Sequence, residues 1–131
     1  ALVVVVDDFL SYASHYLRHQ VRPLWHMHAI HHSQERLNPL TTKRFHPVEN
    51  LLGRVVIKAI PLAVVGASLE VWYAYYVVDA VWDYFIHSNL RLNLGPLRYV
   101  VVTPQFHRIH HSSRSAHWGK NFSDRLVVWD L

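Results

Sequence analysis

The chain opens on an unbroken apolar run, ALVVVV, which Asp7-Asp8 interrupts. The pattern then becomes DFLSYASHYLRHQV, where Asp8, Tyr12, His15 and His19 share one face at helical spacing. Together these stretches predict one helix from about Leu2 to Arg22. It stops at Pro23, which lacks an N–H and restricts the residue before it. Taken alone, the first six residues equally suit a buried strand. Leu24 to Ser33 predicts a second helix. The polar stretch Ser33 to Lys43 contains Asn38-Pro39 and reads as a loop. Arg44 to Glu49 opens a further helix, with Pro47 in its first turn.

From Ala59 to Val78 the chain runs twenty residues with one charge, Glu70. That is long enough to cross a bilayer once. A carboxylate at the membrane centre costs roughly 2.5–3.5 kcal/mol, however. Gly66 and Ser68 offer an alternative, a re-entrant turn between two short helices. A buried helix of a soluble protein is the third reading. Val71 to Ser88 is aromatic-rich and reads as core or as a membrane-interface belt. Within it Asp79, Asp83 and His87 stack at helical spacing, so a carboxylate one turn back is placed to accept the second ring N–H of His87. Asn93 to Pro96 is a turn, and the tail HWGKNFSDRLVVWDL is a loop followed by a short amphipathic piece.

Composition narrows the class. The chain is 51% hydrophobic and 17% charged, which is apolar for a small soluble domain. Its net charge of +4 comes from thirteen Lys and Arg scattered singly, with no basic run. That argues against nucleic acid and for a positively charged, cytoplasm-facing membrane surface. With no cysteine there are no disulfides, thiolate ligands or Fe–S clusters. The 131 residues make a single domain. The missing initiator methionine and abrupt end lead us to expect an excerpt of a longer polypeptide, lacking upstream transmembrane helices and the extreme C-terminus.

The chemistry lies in the histidines. His107, His110 and His111 form an HxxHH pattern in TPQFHRIHHSS; His28, His31 and His32 repeat it, and His15 and His19 stand at i, i+4. On a helix each set points from one face, as metal ligation demands. In a shuffled chain two HxxHH patterns would arise well under about one time in a hundred, so the bland reading as surface histidines is set aside. With His87 there are nine imidazoles on four helices, more than one ion takes, and two metals sharing a site fit them. The clusters contain no Glu of the kind that bridges carboxylate di-iron bundles. Imidazole accepts Fe, Zn, Cu and Ni alike, so ligand chemistry leaves the element open.

HYLRH, HAIHHS, RFHPVE, FIHSN and TPQFHRIHHS, in this order, resemble the fatty acid hydroxylase/sterol desaturase superfamily, whose members are integral-membrane, non-haem di-iron oxygenases. The resemblance runs from about Asp8 to Asp130. It implies that His15, His19, His28, His31, His32, His87, His107, His110 and His111 are the metal ligands. His46 and Glu49 match its HPxE segment, and His117 and Asn121 match polar residues before its terminal NFG or NYG. These four, with Asp8 and Asp83, are candidates for further ligands or for residues that support the ligands. His26 lies outside the motifs. Ser123 stands where the family usually has glycine, and Arg91 stands where the fatty acid α-hydroxylase branch has histidine. The latter points to a sterol-desaturase-like branch.

The expectation is therefore an all-α, membrane-associated helical bundle whose histidine-bearing helices form a dinuclear metal site. The resemblance implies O₂-dependent hydroxylation or desaturation of a C–H bond in a sterol or fatty acyl lipid. Two irons would be the cofactor, with zinc able to replace them in a purified sample. An external cytochrome b5 or ferredoxin system would supply electrons. The expected location is integral to a bacterial inner membrane or the endoplasmic reticulum, with the metal site on the cytoplasmic side. No catalytic residue beyond the ligands is expected, and Trp25, Trp72, Tyr76 and Phe85 are candidate walls of a lipid channel. The rival readings are a dinuclear zinc hydrolase or isomerase and a non-catalytic metal-binding membrane scaffold.

Overall fold

The computed structural model describes residues 2–131, apart from the side chains of Leu2 and Arg54; Ala1, the first residue of the apolar opening, lies outside the described residues. Six helices carry the architecture. They are α1 (Leu2–Gln20), α2 (Arg22–His32), α3 (Pro47–Leu52), α4 (Ile60–Val64), α5 (Leu69–Ile86) and α6 (Pro104–His110). A π-helical stretch, Gly53–Ala59, joins α3 to α4, and short 3₁₀ turns punctuate the loops. Among the described residues there is no strand, only an isolated antiparallel bridge between Val101 and Leu126.

The helix boundaries follow local chemistry. Val21 is extended (φ −98°, ψ 111°), and Pro23 sits in the first turn of α2, where its missing N–H leaves nothing unsatisfied. Pro47 and Pro104 open α3 and α6 in the same way. Before α6 the Thr103 hydroxyl accepts the Phe106 N–H at 3.1 Å. Before α3 the His46 Nδ1 accepts the Val48 N–H at 3.2 Å. The π-helical stretch lies just before Pro61, whose ring cannot sit against the carbonyl four residues back.

The apolar stretch from Ala59 to Val78 does not form one span. It breaks after α4 at Gly66, which takes φ 71°, and restarts at Ser68, whose hydroxyl caps α5 by accepting the Val71 N–H. Glu70 therefore sits in the exposed first turn of α5, where the helix dipole favours a carboxylate. Its hydrogen bond with Ser68 lowers its pKa. Among the described residues no helix is long and apolar enough to cross a membrane.

The interior is polar and the exterior apolar. Among the described residues six hydrophobic side chains are buried, against sixteen polar or charged ones that include five histidines of the HxxxH and HxxHH sets. One small apolar cluster (Ile86, Val102 and Val127, flanked by Trp82, Phe85 and Phe106) joins the end of α5 to α6 and the tail. Phe85, a candidate channel wall, is part of this cluster. Outward-facing apolar residues on α4 and α5 include Val64 at 81% exposure, Leu69 at 82% and Val78 at 65%.

A buried charge network joins the two ends of the chain. Lys58 reaches Asp7 at 2.7 Å and Asp79 at 3.2 Å, and Arg125 reaches Asp7 at 3.4 Å and Asp8 at 3.2 Å. Arg125 also contacts Asp79, and the Tyr75 hydroxyl donates to Asp7. Asp8 accepts the Leu126 N–H at 3.2 Å and the Trp129 indole N–H at 2.8 Å. Asp8 is thus an anchor for the tail, and none of its bonds goes to a histidine.

Replacing Asp8 by alanine strips partners from a partly buried arginine, an indole and a backbone amide. Urea unfolding followed by tryptophan fluorescence is expected to show a loss of about 3 kcal/mol.

Candidate metal centre

Four elements deliver the histidines. His15 and His19 lie one turn apart on α1, and His28, His31 and His32 lie on the last turns of α2. His87 is the C-cap of α5, His107 and His110 lie on α6, and His111 is its C-cap. Packing brings them into two adjoining groups. His15, His19, His28, His32 and His110 form one, and His31, His87, His107 and His111 form the other. Within each group one nitrogen per ring lies within 4.8 Å of all the others. The HxxHH sets are split between the groups: α2 sends His28 and His32 to the first and His31 to the second, while α6 sends His110 to the first and His107 to the second.

Hydrogen bonding fixes how four of these rings face inward. The Nδ1–H of His15 donates to the Phe122 carbonyl at 2.8 Å, and that of His110 to the Lys120 carbonyl at 2.9 Å. His87 Nδ1 donates to the Asp83 carbonyl at 2.8 Å, and His28 Nδ1 to Glu49 Oε1 at 2.7 Å. These partners only accept, so Nδ1 holds the proton and Nε2 presents a lone pair. The Nε2 atoms of His28 and His110 both face His32 Nε2 at 3.2 Å, and it has at most one proton to give. In the second group His31 Nε2 and His107 Nε2 flank His87 Nε2 at 3.1 and 3.0 Å, and His111 Nε2 lies 3.1 Å from His107 Nε2. The Nε2 atoms of His15 and His19 are buried without a hydrogen-bond partner. Lone pairs converging at such distances repel one another unless a cation lies between them. This donor set fits a metal.

Burial keeps the rings in the neutral, ligating form. It is the largest cause lowering the pKa of all nine, with neighbouring imidazoles adding to it for most. His19 falls to about 3, and His87 and His110 to about 4.

The remaining candidates separate clearly. Glu49 is buried against His28 and also meets Arg18 Nε at 3.4 Å. For His87 the expected carboxylate is replaced by the backbone carbonyl of Asp83, because i, i+4 geometry on a helix brings the ring to the carbonyl. The Asp83 carboxyl instead lines a cavity, where burial and then Asp124 push it up to about 7. His46 spends its Nδ1 on the α3 cap, and His26 is exposed. His117 lies on a 3₁₀ turn; like His46 and His26 it belongs to neither group. The amide of Asn121 donates to the Phe106 carbonyl at 3.1 Å. Sequence reasoning missed the carbonyls of Lys120 and Phe122, which no side-chain pattern announces. It also missed Phe45, stacked on His31 with ring centroids 4.6 Å apart.

Two openings flank the centre. A cavity of about 190 Å³ is lined by His15, His28, His31 and His107 together with Lys58, Asp79, Asp83 and Arg125. Tyr76 lines it, and Trp72 stacks on Tyr76 at 5.6 Å. A cleft of about 1250 Å³ reaches His19, His32, His110 and His111 and is walled by Trp25 and Trp118. Each opening touches both histidine groups.

Two predictions follow from this geometry. Glu49→Gln removes the negative partner of His28, and metal titration is expected to show affinity in the five-histidine group falling about 10–100-fold. The second concerns acid. Unfolded histidines titrate near pH 6.5, whereas folded His87 and His110 do so at about 4. Between these values the unfolded chain binds more protons, so stability of the metal-free protein is full above pH 6.5 and falls as pH drops toward 4. Urea midpoints at pH 7.5, 6 and 5 should fall in that order.

The sequence relationships bear on the same residues. The model of the fatty acid hydroxylase family matches residues 1–131. The ornithine lipid hydroxylase OlsE of Rhizobium tropici is 37% identical over 129 residues, which covers 98% of this chain and 39% of that protein. The alkylglycerol monooxygenase of Homo sapiens is 28% identical over 123 residues, covering 94% of this chain and 27% of its own length. A putative Delta(7)-sterol-C5(6)-desaturase 2 of Arabidopsis thaliana is 28% identical over 123 residues, covering 91% and 42%. This chain therefore spans well under half of each of these relatives. No solved structure matches it. With the family model matched from end to end over a chain whose buried histidines meet in two groups, this protein belongs to the fatty acid hydroxylase family.

Proposed function

We propose that this chain is the metal-bearing part of an O₂-dependent lipid oxidoreductase, with one iron in each histidine group. The observation that carries the proposal is the convergence of neutral imidazole lone pairs in two adjoining groups. Relatives named hydroxylase, monooxygenase and desaturase, acting on an ornithine lipid, alkylglycerol and sterol, support a lipid C–H bond as the target. In the balanced hydroxylation, C–H, O₂, two electrons and two protons become C–OH and water. An external donor of the cytochrome b5 or ferredoxin type supplies the electrons. Iron bound by the histidines would supply the binding and reduction of O₂.

The chain's own residues set the conditions for that chemistry. The nine histidines would hold the ions and leave proton transfer to other groups. Glu49 and the carbonyls of Asp83, Lys120 and Phe122 hold four rings in the tautomer that directs Nε2 inward. The larger cleft, of about 1250 Å³, admits the lipid past Trp25 and Trp118, since the smaller cavity of about 190 Å³ is below the size of ordinary ligand pockets. The exposed apolar residues of α4 and α5 suit association with a membrane, with the metal centre on its cytoplasmic side.

Elemental mass spectrometry on protein loaded anaerobically with iron is the test, followed by product analysis on lipid vesicles under O₂ and under nitrogen. Two irons per chain and reductant-dependent oxidation only under O₂ are expected. His107→Ala and His110→Ala should each weaken one ion and lower turnover below about a hundredth. Two zincs that iron cannot displace, with turnover independent of O₂, would overturn the proposal.

A further inference from the structure

Two rings of the five-histidine group take their orienting carbonyls from either side of a single residue. Lys120 O accepts from His110, Phe122 O accepts from His15, and Asn121 stands between them. Asn121 has φ 60°, and among the described residues it is the one non-glycine with positive φ. The peptide plane of Lys120 and Asn121 is rigid, so the φ bond of Asn121 is the axis about which the Lys120 carbonyl turns relative to Phe122. Rotating that bond to an ordinary negative φ would swing one carbonyl off its histidine while the other stayed. The rings served by the two carbonyls lie 4.5 Å apart, edge to face.

The turn is held from both sides. The Asn121 amide donates to the carbonyl of Phe106 at 3.1 Å, on the helix that carries His107 and His110. Beyond it, Asp130 accepts the amide N–H groups of Phe122 at 2.9 Å and Ser123 at 2.8 Å. Asparagine is among the few residues that adopt the left-handed conformation readily. Neither carbonyl of this turn is given to the four-histidine group, in which His87 uses the Asp83 carbonyl.

We propose that Asn121 is a positioning residue for the five-histidine group: its left-handed backbone aims the Lys120 and Phe122 carbonyls at His110 and His15, leaving both Nε2 atoms free for a metal. This rests on the reading that the two histidine groups hold metal ions. Because the two carbonyls that this backbone aims serve one group only, losing the left-handed conformation weakens one ion and spares the other.

The test is a titration of wild type, Asn121→Gly and Asn121→Val with cobalt(II) and iron(II), read by absorption spectrum and by ions bound per chain. Circular dichroism checks the fold. Glycine adopts φ 60° freely and should keep two tight ions, whereas valine should lose about 10–100-fold in affinity at one site. Placing Asn121→Val on a His87→Ala background, where the five-histidine group alone is intact, should weaken the remaining ion. On a His19→Ala background the ion of the four-histidine group should be unaffected. If the valine variant does not fold, Asn121→Ala replaces it with less strain and the same expected selectivity. Two ions held at wild-type affinity by the valine or alanine variant would overturn the inference. So would equal weakening of both sites, which marks a merely structural residue, or a glycine variant as impaired as valine. Wild type with no stoichiometric metal brings down the metal reading and this inference with it; wild type with two ions and an unselective variant brings down the inference alone.

Discussion

Nine neutral imidazoles meet in the interior with Nε2 atoms as close as 3.0–3.2 Å, and at His32, with one proton at most for the lone pairs of both His28 and His110, lone pair faces lone pair. Such an arrangement is electrostatically costly without a cation and strongly favourable around one, so it couples folding to metal binding. The helices are placed to serve it. α2 and α6 each contribute to both groups and meet through their histidine side chains, and α1 and the C-cap of α5 supply the remaining rings.

The same constraint accounts for the inversion of the interior. Space that a small domain normally gives to aliphatic side chains is taken by histidines, Glu49 and the network of Lys58 and Arg125 with Asp7, Asp8 and Asp79. The apolar core that remains is confined to Ile86, Val102 and Val127 with their aromatic neighbours, and much of the apolar surface faces outward. Burial also holds the histidines neutral at physiological pH, the state in which they bind metal.

Much of the site was legible in one dimension. Helical spacing brings His107, His110 and His111 to one face, and likewise His28, His31 and His32, because i, i+3 and i+4 are neighbours on a helix. Glu49 was singled out by its match to the HPxE segment of the resembled family, and the structure places it against His28. Across Ala59 to Val78 hydropathy left a single span and a turn between two short helices both open, because it sums over the window; Gly66 at φ 71° and the Ser68 cap break the helix locally, at the residues the second reading named. Asp83 supports His87 through its backbone carbonyl, a group every residue possesses and no sequence pattern marks.

The sequence by itself determined which histidines share a helical face and that Pro47 opens a helix, since proline placement and side-chain spacing are local properties. Only the tertiary structure decided that each HxxHH set divides between two groups, that Asn121 bends the tail so two carbonyls reach two histidines, and that Asp8 anchors the chain's far end. These depend on segments separated by up to 121 residues meeting in space, and on backbone dihedrals and carbonyl directions that side-chain identity does not encode.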